Sequence, residues 1–270
     1  MMKRNEIKTF QKVVREHYRR HRRDLPWRKT KNPYRILVSE VMLQQTQVER
    51  VLPKYREFLK RFPTPRALAR AALSDVLRAW SGLGYNRRAK FLHEAAKMIF
   101  DHFRGRFPKT AEDIEKLPGV GRYTARAIIT FAYNSPEVFI ETNIRTVYLH
   151  HFFKNKTDVP DKTILPYIEG TLDKKNPREW YWALMDYGAF LKKKHGNANR
   201  RSAHYTKQSK FVGSNRQIRG LIIKTVLSEK SITAPALAKQ IKKTAETVQE
   251  IADILVREGL LKKTGKKYTH

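Results

Sequence analysis

Two glutamates, Glu40 and Glu141, carry the chemistry that this chain offers. Glu40 lies in Arg35-Ile-Leu-Val-Ser-Glu-Val-Met-Leu-Gln-Gln-Thr-Gln-Val48, where helical register sets it beside Ile36, Leu37, Leu43 and Gln44. A carboxyl beside an apolar stripe loses solvation, which raises its pKa and favours the protonated form that a general acid needs. Glu141 follows the apolar run Val138-Phe139-Ile140. One protonated and one ionised carboxyl can together break a glycosidic bond: the first protonates the leaving group, the second stabilises the cationic sugar. Blander alternatives stand beside these. Glu40 can be a surface residue at the edge of the stripe, and Glu141 an acid that favours the start of a helix over 142–153.

The segment Leu117-Pro-Gly-Val-Gly-Arg-Tyr-Thr-Ala-Arg-Ala-Ile128 places Gly119 and Gly121 just before a helical run, and Glu141 comes twenty residues after Gly121. A glycine turn into a helix leaves backbone N–H groups unpaired at the positive end of the helix dipole, a site that binds phosphate. Arg122 adds a charge to it. Gln44, Gln45 and Gln47 extend from an apolar run; they suit base edges or a base step, or else a neutral helix surface. Tyr85 sits in Ser81-Gly-Leu-Gly-Tyr-Asn-Arg-Arg88. It suits a tight turn facing DNA with Arg87 and Arg88 on phosphates, or alternatively a core position.

Positioning these residues falls to a helical chain. Of 270 residues, 57 are Lys or Arg against 25 Asp or Glu, a formal charge of +32 that points to a polyanionic partner such as nucleic acid. Hydrophobic residues make up 40%, enough for a core. Cysteine is absent, which excludes disulfides, thiolate catalysis and cysteine-ligated zinc or iron–sulfur sites, and the nine histidines form no metal-binding pattern. No apolar run is long enough to span a membrane, and Met-Met-Lys-Arg-Asn-Glu at the start lacks the core of a signal peptide, so a cytoplasmic protein is expected. Apolar periodicity predicts helices over 6–20, 33–47, 50–61, 66–71, 74–80, 87–103, 122–133, 142–153, 162–173 and 178–193. Between 192 and 220 stand nine Lys or Arg and no acid, which reads as a basic loop with little packing. Residues 217–270 then show three helices, with Thr233 and Thr244 as caps, and a terminal hairpin, the pattern of a winged helix-turn-helix. The expected organisation is 1–191, a linker over 192–216, and a winged-helix-like unit over 217–270.

Four segments in one order, Leu25-Pro-Trp-Arg28, Ser39-Glu-Val-Met-Leu-Gln-Gln-Thr-Gln-Val48, Trp80-Ser-Gly-Leu-Gly-Tyr-Asn-Arg-Arg-Ala89 and Leu117-Pro-Gly-Val-Gly-Arg-Tyr-Thr-Ala125, resemble the helix–hairpin–helix DNA glycosylases, and most of all their adenine-specific (MutY-like) branch. The resemblance covers residues 6–192. It implies an all-α, two-lobed glycosylase domain that flips a base out of duplex DNA. By position it makes Glu40 the acid that protonates adenine. It puts Glu141 where the family has Asp, and matches Asn143 to an Asn two residues on. Tyr123 stands where bifunctional relatives carry a Schiff-base lysine, which implies a monofunctional enzyme. Gln44 and Gln45 match residues that look toward the opposite base. Residues 192–215 replace the family's four-cysteine cluster loop and are expected to keep the DNA contact through Lys192, Lys193, Lys194, Arg200 and Arg201. No iron–sulfur cluster is expected; a monovalent cation on the hairpin carbonyls is compatible with the family. The 217–270 unit differs from the domain that reads 8-oxoguanine. The implied partner is double-stranded DNA with a mispaired or damaged base, bound by a monomer. The implied reaction is removal of adenine opposite 8-oxoguanine or guanine, with excision of thymine or uracil opposite guanine, or DNA binding by a catalytically impaired scaffold, as the alternatives.

Overall fold

The computed structural model describes residues 3–270. The first helix, α1 (Arg4–His21), has Glu6 in its first turn and Arg19, Arg20 and His21 in its last, charges that complement the helix dipole. It buries Phe10 and Val14 on one face. Helix α2 (Pro33–Leu43) starts where Asn32 Oδ1 accepts from the N–H groups of Tyr34 and Arg35, with proline at the first position. Then come α3 (Val48–Arg61), α4 (Pro65–Arg70), α5 (Leu73–Trp80), α6 (Arg87–Asp101), the short α7 (Ala111–Glu115), α8 (Arg122–Tyr133), α9 (Thr142–Phe152), α10 (Asp161–Thr171) and α11 (Pro177–His195). The C-terminal part holds α12 (Asn215–Glu229), β1 (Ser231–Thr233), α13 (Ala234–Ile241), α14 (Ala245–Arg257), β2 (Lys262–Thr264) and β3 (Lys267–Thr269). No helix among the described residues is long and apolar enough to cross a membrane.

The chain forms two compact units. One takes the N-terminal segment to Leu37, Lys109–Glu115 and Val120–Lys207; the other takes Val38–Pro108, Lys116–Gly119 and Gln208–His270. In the first, α9 and α1 both pack on α11. Phe10 meets the rings of Tyr148, Phe152 and Trp180, and Phe139 stacks on Tyr181 with centroids 3.9 Å apart. Buried Asp186 on α11 accepts from both Nη atoms of Arg28 at 2.7 and 2.8 Å and from the backbone N–H and Nε of Arg23. The Leu-Pro-Trp-Arg segment thus ends in a bidentate clamp on α11.

In the second unit, Trp80, Phe58 and Leu68 are fully buried. The C-terminal elements belong to this same unit. Arg78 of α5 donates to the carbonyl of Leu227, Lys90 of α6 to that of Glu258, and Arg219 pairs with Glu258. The three antiparallel strands run in the order β1-β3-β2, with Ile232 and Lys263 both opposite Tyr268. The predicted helices and hairpin are present. Strand β1 escapes the sequence pattern because it is three residues long with a single buried position, Ile232.

Two local expectations are corrected. Helix α2 stops at Leu43, not near Gln47; Gln45 adopts a left-handed backbone (φ 55°) and Gln47 opens α3. Residues 192–216 are also more packed than their polarity suggests. Helix α11 continues to His195, and buried Asn199 donates to Thr142 O and Thr146 Oγ1 of the α9 segment at 3.0 and 2.6 Å.

Candidate active site and nucleic-acid interface

The glycine turn before α8 divides its labour. Gly119 has φ +75°, and a Cβ there would lie 2.6 Å from Phe91 Cβ, so both backbone and space demand glycine. Gly121 has an extended backbone, caps α8 with no side-chain bond, and an added Cβ would meet nothing within 4 Å. Packing therefore does not require glycine at 121; the open N-terminus does suit an anion. Arg122 is exposed beside it, and Tyr123 packs edge-on against Phe139 at 5.7 Å.

Glu141 is the N-cap of α9. Its Oε1 accepts from Ile144 N–H at 2.9 Å and its Oε2 from Asn143 Nδ2 at 3.3 Å. The helix-start reading of Glu141 thus holds, and the same bonds fix the carboxyl's direction and tie it to Asn143. Burial pushes its pKa above the ordinary carboxylate range, against the N–H groups of Asn143 and Ile144 and the charges of Arg145 and Arg23. Burial therefore opposes the ionised form that the pair of carboxyls would require of Glu141.

Behind this cap lies a contact that sequence reasoning missed. A Cβ on Gly188 of α11 would fall 2.1 Å from the Asn143 carbonyl oxygen. The start of α9 rests directly on α11 there, at a position only glycine can occupy. A glycine inside a predicted helix, in Tyr187-Gly-Ala189, is the signal that could have found it. Asp186 precedes it by half a turn; burial opposes its ionisation, but Arg28 and Arg23 together hold its pKa below the usual range.

Glu40 is 7% exposed. Residues 36–42 of α2 are all buried, so the helix is enclosed on every side and the surface-glutamate alternative is excluded. Glu40 belongs to the second unit and Glu141 to the first.

Arg88 is the clearest correction. Sequence reasoning put it on a phosphate, but it is 8% exposed and its guanidinium is fully engaged. It donates to the carbonyls of Val41, Met42, Gln44, Leu83, Gly84 and Tyr85 and to Thr46 Oγ1. By taking up the free carbonyls at the end of α2 it stops that helix and shapes the Gln44–Gln47 turn, and burial lowers its pKa to about 10. Gln44 is half-buried and Gln45 exposed on that turn. Arg87 is exposed, with its guanidinium over Phe91. Tyr85, also left-handed (φ 48°), lies between Arg88 and Arg216. Of the C-terminal cations, Lys192, Lys193, Lys194 and Arg200 are exposed. Arg201 is not free: it donates to the carbonyls of Leu149 and Lys154 and closes the end of α9. An iron–sulfur cluster held by cysteines has no ligands in a chain without cysteine.

The helical scaffold and its glycine turn have counterparts among known proteins. Residues 38–165 match the family model of the HhH-GPD superfamily of base excision DNA repair proteins. The chain is similar to adenine DNA glycosylases. It is 37% identical over 183 residues to that of Buchnera aphidicola, covering 67% of this chain and 52% of the relative. It is 50% identical over 131 residues to that of Mycobacterium tuberculosis, covering 48% and 43%. The chain thus spans about half the length of these relatives. A thermostable thymine-DNA glycosylase shares the fold at a TM-score of 0.64 and 24% identity, over 74% of this chain and 97% of that one.

Proposed function

We propose that the protein is a monofunctional DNA glycosylase that releases adenine mispaired with 8-oxoguanine or guanine in double-stranded DNA. Two supports come from likeness: the superfamily match and the similarity to adenine DNA glycosylases. The observation that carries the chemistry is Glu40, a carboxyl on a helix enclosed over residues 36–42. A buried acid is a poor structural choice and a good proton donor. Glu40 protonates the flipped adenine, making the base a better leaving group. Glu141, aimed by Ile144 N–H and Asn143, stabilises the cationic sugar and directs water to it. A developing positive charge beside Glu141 favours its ionised form and offsets the burial that opposes it. The N-terminus of α8 holds a backbone phosphate, with Gly121 leaving room for it. Tyr123, which has no amine, forms no Schiff base.

The test is incubation with duplexes carrying A opposite 8-oxoguanine, A opposite G, T opposite G or U opposite G, followed by alkali. Alkali-dependent breaks at adenine are expected. Breaks at T or U would replace the substrate, breaks without alkali would overturn the monofunctional assignment, and tight binding with no breaks would leave only a DNA-binding scaffold.

A further inference from the structure

The largest exposed apolar side chains among the described residues are adjacent. Phe211 is 56% exposed and Val212 84%, whereas the other exposed large hydrophobics are at 36–39%. They form the tip of the loop Gln208–Gly213, which is held at both ends. Gln208 Nε2 donates to the Tyr85 hydroxyl, as does Arg216 Nη1 at 2.8 Å, and Arg216 Nη2 donates to Ser209 O at 2.6 Å. At the other end Ser214 Oγ donates to Phe211 O, and Gly213 N–H to Gln217 Oε1, both at 2.7 Å. Folding thus spends several hydrogen bonds to present two apolar side chains to solvent.

Their surroundings select the occupant. Phe211 lines a groove of about 880 Å³ together with Gln45, Gly82 and Tyr85. Arg50, Arg78, Arg216 and Lys224 line it, and no acidic residue does. A protein partner would gain from the apolar tip but would gain little from an acid-free wall. A nucleic acid uses both, placing phosphates on the cations and base faces on the apolar wedge.

We propose that the Gln208–Gly213 loop is a second DNA-contacting element that presses Phe211 and Val212 against a base step of the bound duplex. This rests on the reading of the chain as a protein of duplex DNA, and it adds a contact outside the excision residues. The wedge is tied to Tyr85 through Gln208 and Arg216, so it and the Gln45 turn address the same groove.

The test is binding of the whole chain to a fluorescein-labelled duplex over a salt series, with 2-aminopurine in a second duplex to report unstacking. The double variant Phe211→Ser/Val212→Ser alters only exposed positions, and an unchanged melting temperature shows that it is folded. It is expected to bind about tenfold more weakly, with the same salt slope and a smaller 2-aminopurine signal. Lys224→Ser, which removes an exposed cation of the groove, is expected to do the converse, lowering the slope by about one and keeping the signal. Equal affinity and equal signal for the double variant would overturn the wedge. So would a shift from dimer to monomer with DNA binding intact, which would make a second copy the occupant. Neither readout needs base release, so a failure to excise would overturn the glycosylase reading alone.

Discussion

At the scale of single residues, the proposed excision gives Glu40 a part in the reaction, whereas the hydrogen bonds of Arg88 give it a structural one. Glu40→Gln keeps the shape and removes the proton that the base requires. It is expected to abolish adenine release in single-turnover assays and to leave duplex affinity within about twofold, since the size and shape of the side chain are kept. Glu141→Asp shortens the carboxylate by a methylene, about 1 Å, while preserving the N-cap. Because misplacement on that scale can cost about a hundredfold, the excision rate is expected to change far more than thermal stability; equal changes would make Glu141 a cap and nothing else. Arg88→Ala does the opposite. It removes the side-chain donor to six carbonyls and a hydroxyl; Gly84 O keeps Trp80 Nε1 and Gln44 O keeps Thr46 Oγ1, but each buried group left without a partner costs about 1–3 kcal/mol. Loss of several kcal/mol is expected by denaturant unfolding, and Arg88→Lys is expected to recover little, because a single ammonium cannot reproduce the fork.

At the scale of elements, the decisive contacts are close approaches of backbone. Gly188→Ala puts a methyl into the Asn143 carbonyl, so α9 must move away from α11 or the chain must distort. Overpacking of this kind costs about 1–3 kcal/mol, and the displaced cap should lower the excision rate beyond what the loss of stability explains. Comparing activity at a temperature where both proteins are fully folded checks this. The sequence pattern found most of the helices, because an apolar stripe is printed along each, and it singled out Glu40, which is buried, and Glu141, which caps α9. It placed the end of α2 four residues too late because Arg88, distant in the chain, takes the carbonyls that would have continued the helix. It mistook Arg88 and Arg201 for phosphate ligands because an arginine's charge is visible in a sequence while the carbonyls that consume it are not. The Arg28–Asp186 clamp was hidden similarly, its partners standing more than 150 residues apart.

For the whole molecule, charge governs the response to solution conditions. With a formal charge of +32, duplex affinity should fall steeply with salt, by about 0.9 in log K per log salt for each phosphate contact. Protonation acts on stability through the histidines. Burial lowers the pKa of His17, His150 and His151, aided by neighbouring His21 for the first, His195 for the second and His150 for the third, and brings His151 to about 4. The unfolded chain takes up protons near the usual histidine pKa of about 6.5, before the folded chain does. Stability is therefore expected to decline as pH falls from about 6.5 toward 4. Asp186, with a depressed pKa, keeps its contribution until pH drops below the ordinary aspartate range. Melting temperatures across this window check the sign; a rise on acidification would mean that the histidines are already charged in the native state.

The two hairpin glycines differ in a way that a saturation library can expose. Sorted for soluble expression alone, position 121 should fill with many amino acids, since an added side chain there meets open space, while position 119 should stay glycine against the Phe91 ring. Sorted for repair of mispairs, position 121 should narrow to glycine as well. Subtracting one map from the other leaves position 121 as a residue retained for its ligand, and that difference isolates the phosphate clamp without a structure of the complex.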